Sequence, residues 1–153
     1  MTTLPLISVV DASAGIKLIL GEPHTKIVRG YFGRLDDTPP VAIHVPDLFF
    51  VECANILWKT VRRGEITLAE GRRGLTLLDA LLLPTTPSAR LNERAIEIGC
   101  QFGISVYDAL YITLAERLGA PLLTADNRLA ARLAGSQFQI ITLDSIASST
   151  TNS

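Results

Sequence analysis

The chain has 153 residues, about the length of one domain, and 48% of them are hydrophobic while only 19% are charged. This composition excludes a disordered chain and supplies enough apolar residues for a sizeable core. Fourteen Lys and Arg oppose fifteen Asp and Glu, which gives a net charge of −1, so a general electrostatic attraction to nucleic acid or to an anionic membrane is excluded as well.

Strands and helices are predicted to alternate along the chain. Strands are predicted at 6–10, 41–45, 82–86, 121–125 and 139–143, and helices at 16–20, 24–35, 46–63, 67–81, 88–102, 106–118 and 127–133. The alternation predicts an α/β protein, a three-layer α/β/α sandwich with a central, mostly parallel sheet. We expect one domain over 1–147 and a frayed tail over 148–153.

Targeting signals are not evident in the sequence. The segment from Met1 to Val10 lacks Lys and Arg, which argues against a signal peptide. No uncharged apolar run reaches the roughly 18–20 residues that a membrane-spanning helix needs. We therefore expect a cytoplasmic protein without membrane contact.

Two acidic residues follow directly after predicted strands. Asp11 comes after Leu6–Val10, and Asp126 comes after Pro121–Ala125. In open α/β sheets, ligands bind beyond the carboxyl ends of the strands, and the positive end of a helix stabilises a carboxylate there. The alternative is that Asp11 and Asp126 are ordinary helix caps.

Two further acids lie in apolar helices. Glu52 and Asn55 are the only polar residues in Leu48–Trp58, and Asp108 is the only charged residue in Ile104–Ile112. A buried, ionised carboxylate costs several kcal/mol unless it is paired or binds a cation. The alternative is that Glu52 and Asp108 lie on a solvent-exposed stripe.

If the four acids converge, their repulsion raises their pKa values unless a cation compensates it. Ligation by oxygen alone selects a hard metal such as Mg²⁺ or Mn²⁺. The sequence therefore predicts a magnesium or manganese site at Asp11, Glu52, Asp108 and Asp126.

The chain resembles the PIN-domain family, and specifically the VapC-like toxins of bacterial toxin–antitoxin pairs. The resemblance runs from Leu6 to about Leu143, and its most specific part is a Tyr-Asp-Ala-x-Tyr helix followed by Thr-Ala-Asp at a strand end. The matching segments, in order, are Val10–Ser13, Pro46–Asn55, Tyr107–Tyr111 with Leu114-Ala115, and Leu123–Leu129.

This resemblance implies a Mg²⁺- or Mn²⁺-dependent endoribonuclease in which the four acids are catalytic and hold the metal. It also implies a homodimer and, for many members, a small antitoxin partner. Polar residues expected beside the site, acting directly on the ligands or through water, are Ser13, Asn55, Thr124 and Asn127. The segment 65–87 varies in the family, so nothing is inferred for it.

Contacts to RNA have fewer signals in the sequence. Arg128 follows Asp126 closely and is a candidate RNA contact. The doublets Arg62-Arg63 and Arg72-Arg73 could bind phosphates, or could be solvated helix ends.

Aromatic residues could stack on bases, or could lie in the core or a dimer interface: Phe49, Phe50, Trp58, Tyr107 and Tyr111. The helix Leu48–Trp58 is apolar around most of its girth, so a second subunit or an antitoxin helix is expected to cover part of it.

Other classes of protein remain as alternatives. A catalytically silent PIN-fold protein that binds RNA or a partner is disfavoured because all four acids are present. A dehalogenase-like phosphatase requires a second Asp two residues after the first, where this chain has Ser13, and a receiver domain requires an acceptor Asp at the end of a middle strand. No glycine-rich phosphate loop is present.

Overall fold

A five-stranded parallel sheet organises the chain, for which the computed structural model describes residues 3–21 and 23–151. The strands are β1 (Ile7–Val10), β2 (Ala42–Pro46), β3 (Thr85–Thr86), β4 (Leu122–Thr124) and β5 (Ile140–Thr142), in the order β3-β2-β1-β4-β5. Because β1 is central and pairs with both β2 and β4, the residues that follow these strands share one edge. The predicted α/β class with a parallel sheet is confirmed.

Eight helices flank the described part of the sheet. They are α1 (Ala12–Gly15), α2 (Thr25–Gly33), α3 (Leu48–Arg62), α4 (Leu68–Ala80), α5 (Asn92–Phe102), α6 (Val106–Leu118), α7 (Asn127–Arg132) and α8 (Leu143–Thr150). Helix α6 is buried on every side from Ala109 to Ala115, which explains why the sequence there is apolar without a clear period. As predicted, α6 ends at Gly119, which adopts the left-handed conformation with φ 59°.

Within the described residues, no single helix combines the length and apolar character that crossing a membrane requires. The neighbouring helices α5 and α6 meet those two criteria only when they are counted together, and a bend of 112° separates them.

Three local predictions differ from the structure. A helix was expected at 16–20, but α1 begins at Ala12 because the Asp11 carboxylate accepts a hydrogen bond from the Ala14 amide, and a 3-10 turn follows at Ile16–Leu18. Ser88 was expected to cap the helix over 88–102. It lies instead in a 3-10 turn, its hydroxyl donates to the Asp47 carboxylate, and α5 begins at Asn92.

The third difference concerns the end of the chain. A frayed tail was expected over 148–153, whereas α8 continues to Thr150. The Thr142 hydroxyl caps this helix by accepting from the Ser145 amide, and its buried residues Leu143 and Ile146 attach it to the core. Residues 152 and 153 lie outside the described part of the chain.

The glycine at position 15 allows α1 to pack closely on α3. A Cβ atom at Gly15 would lie 2.5 Å from Cε2 of the fully buried Phe49 ring. We expect Gly15→Ala to destabilise the protein by about 1–3 kcal/mol, because the ring must move within a packed core. The measurement is the free energy of unfolding by urea.

The matched control is Gly30→Ala. Gly30 lies inside α2, and a Cβ there would meet nothing within 4 Å. This change should be neutral or stabilising by up to about 1 kcal/mol, because alanine favours the helix. Equal effects at the two positions would contradict the close contact between Gly15 and Phe49.

Candidate active site

Four acidic side chains from separate segments lie toward the carboxyl edge of the sheet. Asp11 directly follows β1, and Asp126 follows the neighbouring strand β4. Glu52 lies in the second turn of α3, the helix that follows β2, and Asp108 lies in the first turn of α6, which packs against β1 and β2. The topology thus brings together residues that are more than 100 positions apart in the chain.

Asp11 is held by a network of hydroxyl groups. Its side chain is buried, and the residue is 6% exposed. The Ser13 hydroxyl donates to Oδ1 at 2.6 Å, the Thr124 hydroxyl donates to Oδ2 at 2.5 Å, and the Ala14 amide donates to Oδ1 at 3.0 Å. Ser13 also accepts from the Ala125 amide. Since both carboxylate oxygens are engaged, the orientation of this side chain is fixed by β4 as well as by β1.

Asp126 combines a cap with an open oxygen. Its Oδ1 accepts from the amides of Arg128 and Leu129, at 2.9 and 3.0 Å, and so caps α7. Its own amide donates to the Thr124 hydroxyl. The capping alternative for Asp11 and Asp126 is therefore correct as a description of their backbone role. It does not exclude a site, because the capping bonds of Asp126 do not use Oδ2.

Glu52 is oriented by a tyrosine. The Tyr111 hydroxyl donates to Glu52 Oε1 at 2.5 Å, and the Tyr111 ring is buried. Tyr111 was predicted to stack on bases or to lie in the core or a dimer interface, and its bond to Glu52 was not predicted. Two signals were available: Tyr111 closes the Tyr-Asp-Ala-x-Tyr segment of the family resemblance, and it lies three residues after Asp108, one helical turn further along the same helix.

The pKa values of Asp11, Glu52 and Asp108 are raised by burial and by repulsion from a neighbouring acid. Burial, with repulsion from Asp108 as a smaller contribution, raises the pKa of Asp11 to about 6 although its hydrogen bonds oppose the shift. Burial and then Asp108 also raise the pKa of Glu52, while burial and then Asp126 raise the pKa of Asp108. Asp108 is thus coupled to all three other acids. Because Glu52 and Asp108 are both partly buried, the solvent-stripe alternative does not describe them.

A hard cation such as Mg²⁺ needs several oxygen ligands that lie close together. Across residues 3–21 and 23–151, no three Asp, Glu, His or Cys side chains lie close enough to hold one metal ion jointly. The chemistry of the set nevertheless fits Mg²⁺ or Mn²⁺, since all four residues offer carboxylate oxygens, and burial raises the pKa values of Asp11, Glu52 and Asp108 where no cation compensates their charge.

Asn55, Asn127 and Arg128 were also predicted to lie beside the acids, and the structure places each of them differently. Asn55 lies one turn after Glu52 and is exposed. Asn127 does not face the acids, because its side-chain amide donates to Asp144 Oδ2 at 2.6 Å, and Asp144 Oδ1 lies 2.6 Å from His24 Nε2. This contact between α7, α8 and the start of α2 had no signal in the sequence. Arg128 is exposed beside Asp126.

Both arginine doublets are solvent-exposed, but only Arg62-Arg63 lies at a helix end, whereas Arg72-Arg73 lies inside α4. Arg63 forms an ion pair with Glu65 at 2.6 Å, and the Arg62 guanidinium lies 5.2 Å from the centre of the Trp58 ring. Arg72 and Arg73 are exposed on α4. Among the five aromatic candidates, Trp58 is 52% exposed and Tyr107 is 62% exposed, whereas the other three are buried or partly buried: Phe49, Phe50 and Tyr111.

The fold and this edge define an α/β domain with an acidic strand-edge site, and comparison with known proteins identifies its family. The family model for the PIN domain matches residues 8–135. Ribonuclease VapC3 of Pyrobaculum aerophilum is 34% identical over 124 residues, which are 80% of this chain and 91% of that protein. Ribonuclease VapC1 of Mycobacterium tuberculosis is 36% identical over 124 residues, which are 80% and 88% of the two chains.

Solved structures share the fold at lower sequence identity. PAE2754 from Pyrobaculum aerophilum matches with a TM-score of 0.67 at 23% identity, over 95% of this chain and 90% of that one. The DNA-bound VapBC structure from Salmonella typhimurium matches with a TM-score of 0.60 at 18% identity, over 91% and 99%. The chain belongs to the PIN-domain family, in which its curated relatives are VapC ribonucleases.

Proposed function

We propose that this protein is a Mg²⁺- or Mn²⁺-dependent endoribonuclease that hydrolyses phosphodiester bonds in RNA. The observation that carries the proposal is the electrostatic coupling of four carboxylates from four separate segments at the carboxyl edge of the sheet. The relatives described above are named ribonucleases, which supports the same activity. The four acids Asp11, Glu52, Asp108 and Asp126 are the proposed catalytic residues and metal ligands.

Each acid has a distinct part in this proposal. Asp11 is fixed by Ser13 and Thr124, and Glu52 is fixed by Tyr111, so both present oriented oxygens. A divalent cation bound there would lower the pKa of a water molecule and stabilise negative charge on the phosphodiester. Asp108 or Asp126 accepts the proton of the attacking water. Burial, and then repulsion from Asp126, raises the pKa of Asp108, which makes its carboxylate a stronger base than an ordinary aspartate.

The proposal is tested by incubating the purified protein with a mixed pool of cellular RNA and with added Mg²⁺ or Mn²⁺. We expect discrete RNA fragments with either metal and none in excess EDTA. Cleavage that persists in EDTA would contradict the metal-dependent mechanism. Binding of RNA without cleavage under every metal condition would favour the catalytically silent alternative.

We further propose that the protein is the toxin of a toxin–antitoxin pair. Two adjoining clefts of about 450 and 290 Å³ share Leu20 and Ile66, and the first cleft begins at Ser13, beside Asp11. Together they form a largely apolar groove, whose charged lining residues are four basic ones, Lys17, Arg29, Arg63 and Arg73, and two acidic ones, Glu65 and Glu70. An apolar antitoxin segment with acidic flanks would fit this groove and approach the acidic site.

Expression of the protein alone should arrest growth, and co-expression of the adjacent small gene should relieve the arrest. Normal growth at a confirmed level of folded, RNA-cleaving protein would contradict the toxin assignment.

A homodimer is also proposed, because Val51 and Trp58 leave exposed apolar surface on α3. A monomeric mass at micromolar concentration would contradict it. The cytoplasmic location stays a prediction.

A further inference from the structure

A small cleft opens beside two of the four acids. It has a volume of about 170 Å³, and Ser105, Asp108, Asp126, Arg128 and Arg132 line it. This volume is below the roughly 300–1,000 Å³ of pockets that enclose a whole small-molecule ligand. The cleft therefore suits a single charged group better than a complete nucleotide.

The two arginines of this cleft lie on one face of α7. They are four residues apart, so their side chains emerge one helical turn from each other. Both residues are exposed. Arg132 is also tied to the preceding loop, because its Nη1 donates to the Gly103 carbonyl oxygen at 2.9 Å. The cleft thus has one oriented guanidinium and a second one beside it.

The charges of Arg128 and Arg132 are not neutralised by carboxylates. Three other arginines of the described chain form ion pairs, namely Arg34 with Asp37, Arg63 with Glu65, and Arg94 with both Glu97 and Glu116. Arg128 and Arg132 form no such pair among the described residues, although Asp108 and Asp126 line the same cleft. Two unpaired guanidinium groups in one small cleft favour an anionic ligand.

We propose that Arg128 and Arg132 bind the RNA backbone at a phosphate next to the one that is cut, and so hold the strand against Asp108 and Asp126. This inference rests on the proposed ribonuclease function and adds a second contact, Arg132, on the same helix face. A guanidinium matches the geometry of phosphate oxygens and can bind them with two hydrogen bonds. Contacts to phosphate fix the position of the strand but do not select its sequence.

The test measures RNA binding separately from cleavage. The parent protein carries Asp11→Asn and is kept in EDTA, and the probe is a fluorescently labelled, short single-stranded RNA of mixed sequence. Affinity is measured by anisotropy between about 50 and 200 mM NaCl. Either substitution, Arg128→Gln or Arg132→Gln, should reduce the magnitude of the slope of log affinity against log salt concentration by about 0.7, and the double variant should reduce it by about 1.4. The double variant should bind about tenfold more weakly at low salt, to a similar extent for different RNA sequences.

Two controls separate the binding role from folding and from net charge. Arg34→Gln removes the same charge at the opposite edge of the sheet, where Arg34 pairs with Asp37, and should leave the salt slope unchanged. Arg132→Lys keeps a positive charge in the cleft and should retain most of the slope that Arg132→Gln loses. Thermal unfolding of each variant confirms that it is folded.

The outcomes distinguish this inference from the function on which it rests. If the parent binds RNA and the folded double variant keeps the same salt slope, the phosphate subsite is wrong while the ribonuclease proposal stands. If the parent binds no RNA and the unmodified protein cuts none with added metal, both proposals are wrong. A slope that falls equally for Arg34→Gln would show a general charge effect and would also overturn the subsite.

Discussion

Replacing Asp11 with asparagine is expected to reduce metal-dependent RNA cleavage by more than about 100-fold. Substituting a residue that only supports a metal ligand typically costs about 10–100-fold, and Asp11 is proposed as a ligand itself. Asparagine keeps the shape of the side chain and can still bond to Ser13 and Thr124, whose hydroxyls donate to Asp11. The substitution therefore removes the negative charge while it preserves the packing.

The matched control is Asp79→Asn, a carboxylate that is exposed on α4. It changes the net charge by the same amount and should leave the cleavage rate within about twofold of the unmodified protein, since surface charges away from a site have small effects. Both variants are assayed with saturating Mn²⁺ on the same RNA pool. Full activity of Asp11→Asn would remove Asp11 from the site and with it the proposed arrangement of ligands.

The fold could be predicted from sequence where the signal is local. The strands before Asp11 and Asp126 are short β-branched or apolar runs bounded by turns, and α6 ends at a glycine that adopts the left-handed conformation. The short helix α1 and the final helix α8 were missed. Each begins at a side-chain cap, Asp11 or Thr142, that the hydrophobic pattern does not display.

Two signals in the sequence led to the four acids of the proposed site: Asp11 and Asp126 follow strands, and Glu52 and Asp108 are charges in apolar helices, where a charge demands compensation. Among their hydrogen-bond partners, Ser13 and Thr124 were expected beside the site from the family resemblance alone, whereas the bond from Tyr111 to Glu52 was not predicted. The bond from Tyr111 to Glu52 joins residues that are 59 positions apart, and the bond from Thr124 to Asp11 joins residues that are 113 apart. Such contacts depend on how α6 and β4 lie against their neighbours, which spacing along the chain does not determine.

The contribution of Asp11 to the stability of the metal-free protein is expected to fall as the pH rises from about 4 to about 6. The pKa of Asp11 in the folded protein is raised to about 6 from an ordinary value of 3.8, mainly by burial. Below 3.8 the group is protonated in both states, and its contribution to stability is fully present. Between 3.8 and about 6 the unfolded chain releases the proton while the folded protein retains it, so stability falls. A shift of about two pH units corresponds to about 3 kcal/mol.

Burial raises the pKa values of Glu52 and Asp108 as well, and these groups act in the same direction. The contribution of Asp11 is isolated by comparing urea unfolding of the unmodified protein and Asp11→Asn in EDTA across this pH range. The two proteins should have similar stability near pH 4, and Asp11→Asn should be more stable near pH 7, by up to about 3 kcal/mol.

Added Mg²⁺ at about 100 times its dissociation constant should cancel most of this difference near pH 7. A ligand at 100 times its dissociation constant stabilises the folded state by about 2.7 kcal/mol, and only the protein that retains the Asp11 charge should gain this amount. The carboxylates that destabilise the metal-free protein are then the groups that make cation binding favourable. If the difference in unfolding free energy between the two proteins does not change from pH 4 to pH 7, the Asp11 carboxylate is not held in a buried, repulsive environment. If Mg²⁺ stabilises both proteins equally, the cation binds elsewhere.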